Sequence, residues 1–272
     1  MAIGQRITAP YAGPFDPTRF VTSWVLPPSL LFGYRALLAL YAFTTLFTIF
    51  GWNGTHGRSE ESQHSFSFFT NLTYWGLAFY YAFSAAHTGS YWLTGTSFLA
   101  RWPKVLQVMH SMFYSTIVVY PWIVTIVYWG LLAADFPTTF SLWSNTSQHA
   151  LNSLYAFCEI FFPSTNRLPW LDLIPIIILL ALYLGLAYLT HATEGFYVYP
   201  FLDLQTHSSG IVGAYIIGIL VAAIVIFLIV RYLIALRVWV TETKLGMKGK
   251  VSPRAATRPE PEGISLHSTT PK

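Results

Sequence analysis

The chain has 272 residues, of which 54% are hydrophobic, 18% aromatic and only 10% charged, with a mean hydropathy of +0.50. Soluble domains carry roughly 25% charged residues, so this composition excludes an ordinary water-soluble domain and makes lipid the expected main solvent. The net charge of +4 is gathered mostly near the C-terminus, so no basic stripe crosses a folded surface and nucleic acid is a poor partner class.

The first 29 residues are rich in Pro and aromatics and carry no short basic leader. They read as a cytoplasmic or interfacial segment, with no cleavable signal peptide. Six apolar runs follow, each needing about 20 residues to cross the hydrocarbon. They span Leu30 to Phe50, Phe66 to about Ala86, Val105 to Leu132, about Gln148 to Phe162, Leu171 to Thr190 and Ile211 to Leu236. Tyr, Trp and Phe crowd their ends, as an interfacial belt requires. The fourth run is short, about 22 Å at 1.5 Å per residue, and carries His149, Asn152, Ser153 and Glu159; it either spans or lies re-entrant. Its one cysteine, Cys158, is the only one in the chain, so it serves as a small buried hydrophobe.

With the N-terminus cytoplasmic, the inner segments hold Arg6 and Arg19, Arg101 and Lys104, Arg167, and Arg237 through Lys250, whereas the outer loops hold only Arg58. This asymmetry obeys the positive-inside rule. The sequons at Asn53 and Asn145 fall in the expected outer loops, and a third at Asn71 falls inside a run. The expectation is an all-α polytopic protein with a six-helix domain over 30–240. A polar, basic tail over 241–272 reads as disordered and cytoplasmic. An endomembrane or the plasma membrane is its expected location.

Ionisable residues within a span are costly and mark candidate sites. His149 should lie near the outer interface, at a depth similar to His191 at the end of the fifth run, with Glu194 one turn beyond. Glu159 should lie about 15 Å deeper, on the same face as Asn152. His87 and His110 fall toward the inner side. Two histidines do not complete a zinc site, and interhelical hydrogen bonding is the better reading for them. A neutral imidazole beside a hydroxyl is the minimal pair for acyl transfer near neutral pH. Thr48, Thr73, Ser84 and Thr190 all supply hydroxyls within the runs, and spacing does not choose among them.

Three local motifs are informative. Leu72-Thr73-Tyr74 resembles an L-T-F pattern, with Tyr in place of Phe. Trp143, Asn145 and His149 match W-x-N-x-x-x-H, with Glu159 at the matching distance. His191, Gly195, Val198-Tyr199-Pro200-Phe201-Leu202 and Asp203 match H-x-x-x-G-x-x-V-Y-P-F-L-[ED]. Over about Phe68 to Asp203 the chain thereby resembles a fungal member of the androgen-induced-gene family of polytopic membrane proteins. Animal members of that family hydrolyse fatty acid esters of hydroxy fatty acids. The resemblance implies an intramembrane threonine hydrolase acting on a bilayer lipid ester, with Thr73 as nucleophile, His149 as its partner and no cofactor or metal. Asn71 or Asn152 are candidate oxyanion donors, and Asn152, Glu159 and His191 candidate supporting residues. The chain departs from the animal pattern Asn-His-x-x-His-Thr at Thr146 and Ala150, which bears on local hydrogen bonding and substrate choice. Two other readings stand beside this one. One is a non-catalytic scaffold or lipid-binding protein, with a weaker resemblance to the fly rolling-stone proteins. The other is a small transporter using Glu159 as a proton relay.

Overall fold

The computed structural model describes residues 16–256 apart from Ala134 and Lys248. Six long helices dominate them: α1 (Pro28–Thr55), α2 (Phe69–Thr94), α3 (Lys104–Leu132), α4 (139–161), α5 (Trp170–Glu194) and α6 (Ser209–Lys244). Among the described residues the only extended pairings are isolated bridges from Ser23 to Pro163 and to Lys250. Four helices, α1, α3, α5 and α6, are long and apolar enough to cross a membrane. This is an all-helical protein built for a lipid environment.

Local chemistry fixes the helix ends. Pro28 opens α1, where a missing N–H costs nothing. Ser208 Oγ accepts the Ile211 N–H at the start of α6. Gly95 and Gly195 close α2 and α5 in the left-handed conformation, at φ 77° and 80°.

The helices alternate in direction. The start of α1 and the ends of α2, α4 and α6 gather at one end of the bundle. There the Ser23 carbonyl accepts the Lys250 N–H at 2.8 Å, the Thr22 carbonyl accepts the Ser164 N–H at 2.8 Å, and Ser252 Oγ donates to the Trp92 carbonyl at 3.1 Å. At the opposite end the starts of α2 and α4 meet the end of α5. Gln148 Nε2 donates to Asn71 Oδ1 at 2.8 Å, and Tyr183 OH to the Ser67 carbonyl at 3.0 Å.

α3 is the central helix, with half of its most apolar window buried, against 17% in α5 and 22% in α6. The outer faces of α5 and α6 expose Ile178, Leu182, Ile217, Val221 and Ile229, a continuous apolar surface that water does not tolerate. α2 is more polar yet lies inside the bundle, burying Tyr74, Leu77, Tyr80, Tyr81 and His87 against its neighbours.

Three expectations need correcting. α4 begins nine residues before Gln148, because Thr138 and Ser141 form a reciprocal capping box that starts the helix there. Asn145 is therefore helical and not in a loop. Asn53 is buried within α1, which runs past Phe50 to Thr55. The tail expected to be disordered over 241–272 is anchored at two of its described residues: Thr241 is buried and Ser252 fully so. Composition registers its polarity but not the Ser23 and Trp92 carbonyls that receive it. Residues 1–15 and 257–272 lie outside the described residues.

Candidate active site

The site is built where two π-helical turns face each other, Tyr128–Leu132 at the end of α3 and Ser147–Leu151 within α4. A π turn frees carbonyls from the regular ladder and often marks a functional position. Here the His149 carbonyl turns to α3, accepting from Thr125 Oγ1 at 2.7 Å and Trp129 Nε1 at 3.0 Å. The His149 ring is buried and stacks on Tyr128, with centroids 3.5 Å apart and planes within 12°. Tyr128 OH in turn donates to Asn145 Oδ1 at 2.7 Å.

His149 Nδ1 lies 3.0 Å from the Asn145 carbonyl. A carbonyl only accepts, so Nδ1 carries the proton in the neutral ring and Nε2 is the basic nitrogen. His149 lines a polar cavity of about 870 Å³ together with Asn71, Gln148, Thr70, Tyr128 and Tyr199. Arg58, Glu60, Glu61, His64 and Glu194 form its charged part. His64 Nε2 and Glu194 Oε2 approach to 3.7 Å across it.

Thr73 lies elsewhere. Its hydroxyl donates to the Phe69 and Thr70 carbonyls of its own helix, at 2.9 and 3.0 Å, and it lines a separate groove of about 490 Å³ with Leu72, Gly76, Met112 and Phe113. Thr70, one turn earlier on the same helix, lines the cavity with His149, as do Ser62, Ser65, Ser141 and Ser144; Ser62 Oγ accepts from Asn53 Nδ2, and Ser141 and Ser144 donate to the Thr138 and Ser141 carbonyls. Thr70 sits in the first turn of α2, where the N–H groups lack intrahelical partners and the helix dipole favours negative charge. Its neighbour Asn71 is tied to Gln148, the neighbour of His149. Thr73 and His149, expected together, do not line a common cavity.

The other candidates have structural partners. Asn71 is committed at both ends of its amide, donating to the Ser65 carbonyl at 3.0 Å and accepting from Gln148. Asn152 is buried, its Oδ1 accepting the Ser153 N–H at 2.7 Å and lying 3.1 Å from Thr125 Oγ1. His191 stacks on Tyr197 at 3.7 Å between centroids and is not among the residues lining the cavity, whereas Glu194 is.

Glu159 is fully buried in a bidentate pair with Arg35, at 2.9 and 2.8 Å. Tyr34 OH and Tyr80 OH also donate to it, and Arg35 donates onward to the Phe20 carbonyl and Thr88 Oγ1, both at 2.7 Å. Glu159 lines none of the three cavities described. The sequence reading passed over Arg35. Its depth near the start of α1 equals that of Glu159 near the end of α4, and matching those depths was the available signal.

His87 and His110 meet edge to face, 5.1 Å between centroids, beside Trp102. Among the described residues no three His, Cys, Asp or Glu side chains converge as a metal site would require. Comparison with known family models, with curated proteins and with solved structures returned no match.

Proposed function

We propose that the chain is a six-crossing membrane protein that hydrolyses lipid esters in the cavity beside His149. The observation that carries this reading is the tautomer. The Asn145 carbonyl holds the proton on Nδ1, which leaves Nε2 as a base in a cavity shared with the Thr70 hydroxyl. α2 has 26 residues, about 39 Å, and α4 covers 139–161, so both have the length to cross. The end bearing Arg19, Arg101, Lys104, Arg167 and Arg237 is then cytoplasmic, and the cavity opens on the other side. The resemblance to the androgen-induced-gene family supplies the substrate class, an acyl ester within the bilayer such as a fatty acid ester of a hydroxy fatty acid.

In this mechanism His149 Nε2 takes the Thr70 Oγ proton as Oγ bonds the ester carbonyl carbon. Collapse of the tetrahedral intermediate breaks the ester C–O bond, and the departing alkoxide takes the proton from His149. Water then attacks the acyl-threonine, giving its proton to His149. Collapse releases the fatty acid and returns the proton to Thr70. The positive end of the α2 dipole favours the oxyanion, since the Asn71 and Asn152 amides and the Phe69 N–H are already engaged.

A fluorophosphonate probe on membranes tests the assignment, because it labels activated hydroxyls. Labelling should vanish in Thr70→Ala and His149→Ala and persist in Thr73→Ala. Loss in Thr73→Ala alone would return the nucleophile to Thr73. No labelling of well-expressed wild type would sink the hydrolase reading in favour of a scaffold.

A further inference from the structure

A second cavity abuts the first. Its volume is about 190 Å³, and it is lined by Ile123 and Val127 of α3, Leu180 and Ala181 of α5, and Ile219 and Leu220 of α6. Thr70, Tyr128, Leu132 and Tyr199 line both cavities, so the apolar space begins where the polar one ends. The polar groups of this second cavity belong to Thr70, Tyr128, Tyr183 and Tyr199. Three are phenols already engaged: Tyr128 with Asn145, Tyr183 with the Ser67 carbonyl, and Tyr199, whose oxygen accepts the Phe69 N–H at 3.1 Å. Beyond that junction the walls are mostly aliphatic, with Phe69, Phe201 and Tyr183 the aromatic members. Along α5 they run from Leu184 down to Ile177, a depth of about 10 Å at the helical rise. The slot lies between α3 and the two helices whose outer faces are the most exposed apolar surfaces of the bundle.

We infer that this slot binds one hydrocarbon chain of the ester, with the carbonyl carbon at the Thr70–Tyr128 junction and the methyl end pointing down between α3, α5 and α6. The inference rests on the reading of the His149 cavity as an ester-hydrolysing site. A chain in this position has its polar end at the only place where the wall changes from apolar to polar. Each methylene it inserts exchanges bilayer hydrocarbon for apolar protein walls, so the length that fits the slot, and not burial from water, discriminates among chains. The slot and not the catalytic groups then sets chain-length preference, and bulk added to its wall shortens the accepted chain.

Two readouts test this on the full-length protein in nanodiscs. The first is hydrolysis of butyrate, octanoate and palmitate esters by wild type, Ile219→Trp and Ala181→Phe. Both variants leave Thr70 and His149 in place, and the smaller change guards against misfolding of the larger. Butyrate turnover should be kept, and octanoate and palmitate turnover should fall at least tenfold. The second is photocrosslinking by a fatty acid carrying a diazirine near its methyl end and an alkyne for capture, which requires no catalysis. Crosslinks should map to 177–184 or 216–220 and be lost in the Trp variant. Crosslinks that map elsewhere, or survive both substitutions, overturn the slot. Equal loss for all three esters also overturns it. Slot crosslinking in wild type that hydrolyses no ester keeps the slot and overturns the hydrolase reading alone.

Discussion

Arg35 and Glu159 show what a charge in a membrane bundle needs. Each is 0% exposed, and between them they bind two tyrosine hydroxyls, one threonine hydroxyl and one backbone carbonyl. Such a pair contributes little net stability over an apolar substitute, but removing one partner strands the other. Glu159→Gln and Arg35→Ala should each cost about 3–5 kcal/mol, read as a lowered thermal midpoint in detergent by fluorescence-detected size exclusion. The double variant Arg35→Met with Glu159→Met should recover most of that loss. If the single variants kept the wild-type midpoint, the ion pair would not be holding α1 to α4. His149 is a different case, because the role proposed for it is chemical. His149→Ala should lower ester turnover by roughly a hundredfold or more with little change in midpoint, and equal losses in both would make it a packing residue. That His149 and Glu159 stand apart from their neighbours was legible from the sequence, because ionisable groups are conspicuous in apolar runs; the structure buries both. The Tyr128 stack and the choice of Thr70 were not. Both depend on the π turns that bring α3 against α4, and no local pattern announces those turns.

The elements were read well where periodic apolar composition governs them and less well at their ends. Lys104–Leu132 and Ser209–Lys244 contain the expected runs whole, since lipid and protein both favour a continuous apolar helix. The start of α4 and the path of 241–256 were misjudged because hydrogen bonding decides both. The two glycine caps separate these influences. A Cβ on Gly95 would meet the Ala255 nitrogen at 2.8 Å and the Arg254 carbonyl carbon at 3.0 Å, whereas a Cβ on Gly195 would meet nothing within 4 Å. Both sit in the left-handed region, where a side chain costs about 1–2 kcal/mol. Gly195→Ala should therefore lower stability by about that amount and leave the fold closed. Gly95→Ala should in addition lift the 250–256 segment off the end of α2. Limited proteolysis distinguishes the two: rapid cleavage near Lys250 and Arg254 is expected in Gly95→Ala and not in Gly195→Ala. Equal cleavage in both would mean that backbone strain alone governs the segment.

At the scale of the whole molecule, the parity of the crossings proposed follows from where the ends meet. Ser23 bridges Pro163 and Lys250, so the chain before α1, after α4 and after α6 shares one end of the bundle. An even number of traverses is required for that. Four helices meet the demand for apolar length, while α2 and α4 are polar enough to have stopped short in a bilayer on composition alone. What would let them cross is that their polar groups are answered inside the bundle: Arg35 for Glu159, Thr125 and Trp129 for the His149 carbonyl, the Tyr155 carbonyl for Tyr81 OH. The spanning claim thus belongs to the assembled bundle and not to either helix alone. Single cysteines in a Cys158→Ser background, labelled on intact and permeabilised vesicles with an impermeant maleimide, test it. Ser59→Cys and Thr206→Cys should react from one face of the membrane, and Ala100→Cys and Val251→Cys from the other. If Ser59→Cys and Ala100→Cys reacted from the same face, α2 would not cross. The cavity at its first turn would then open on the side that carries Arg101 and Lys104, and the chain would fold back instead of through.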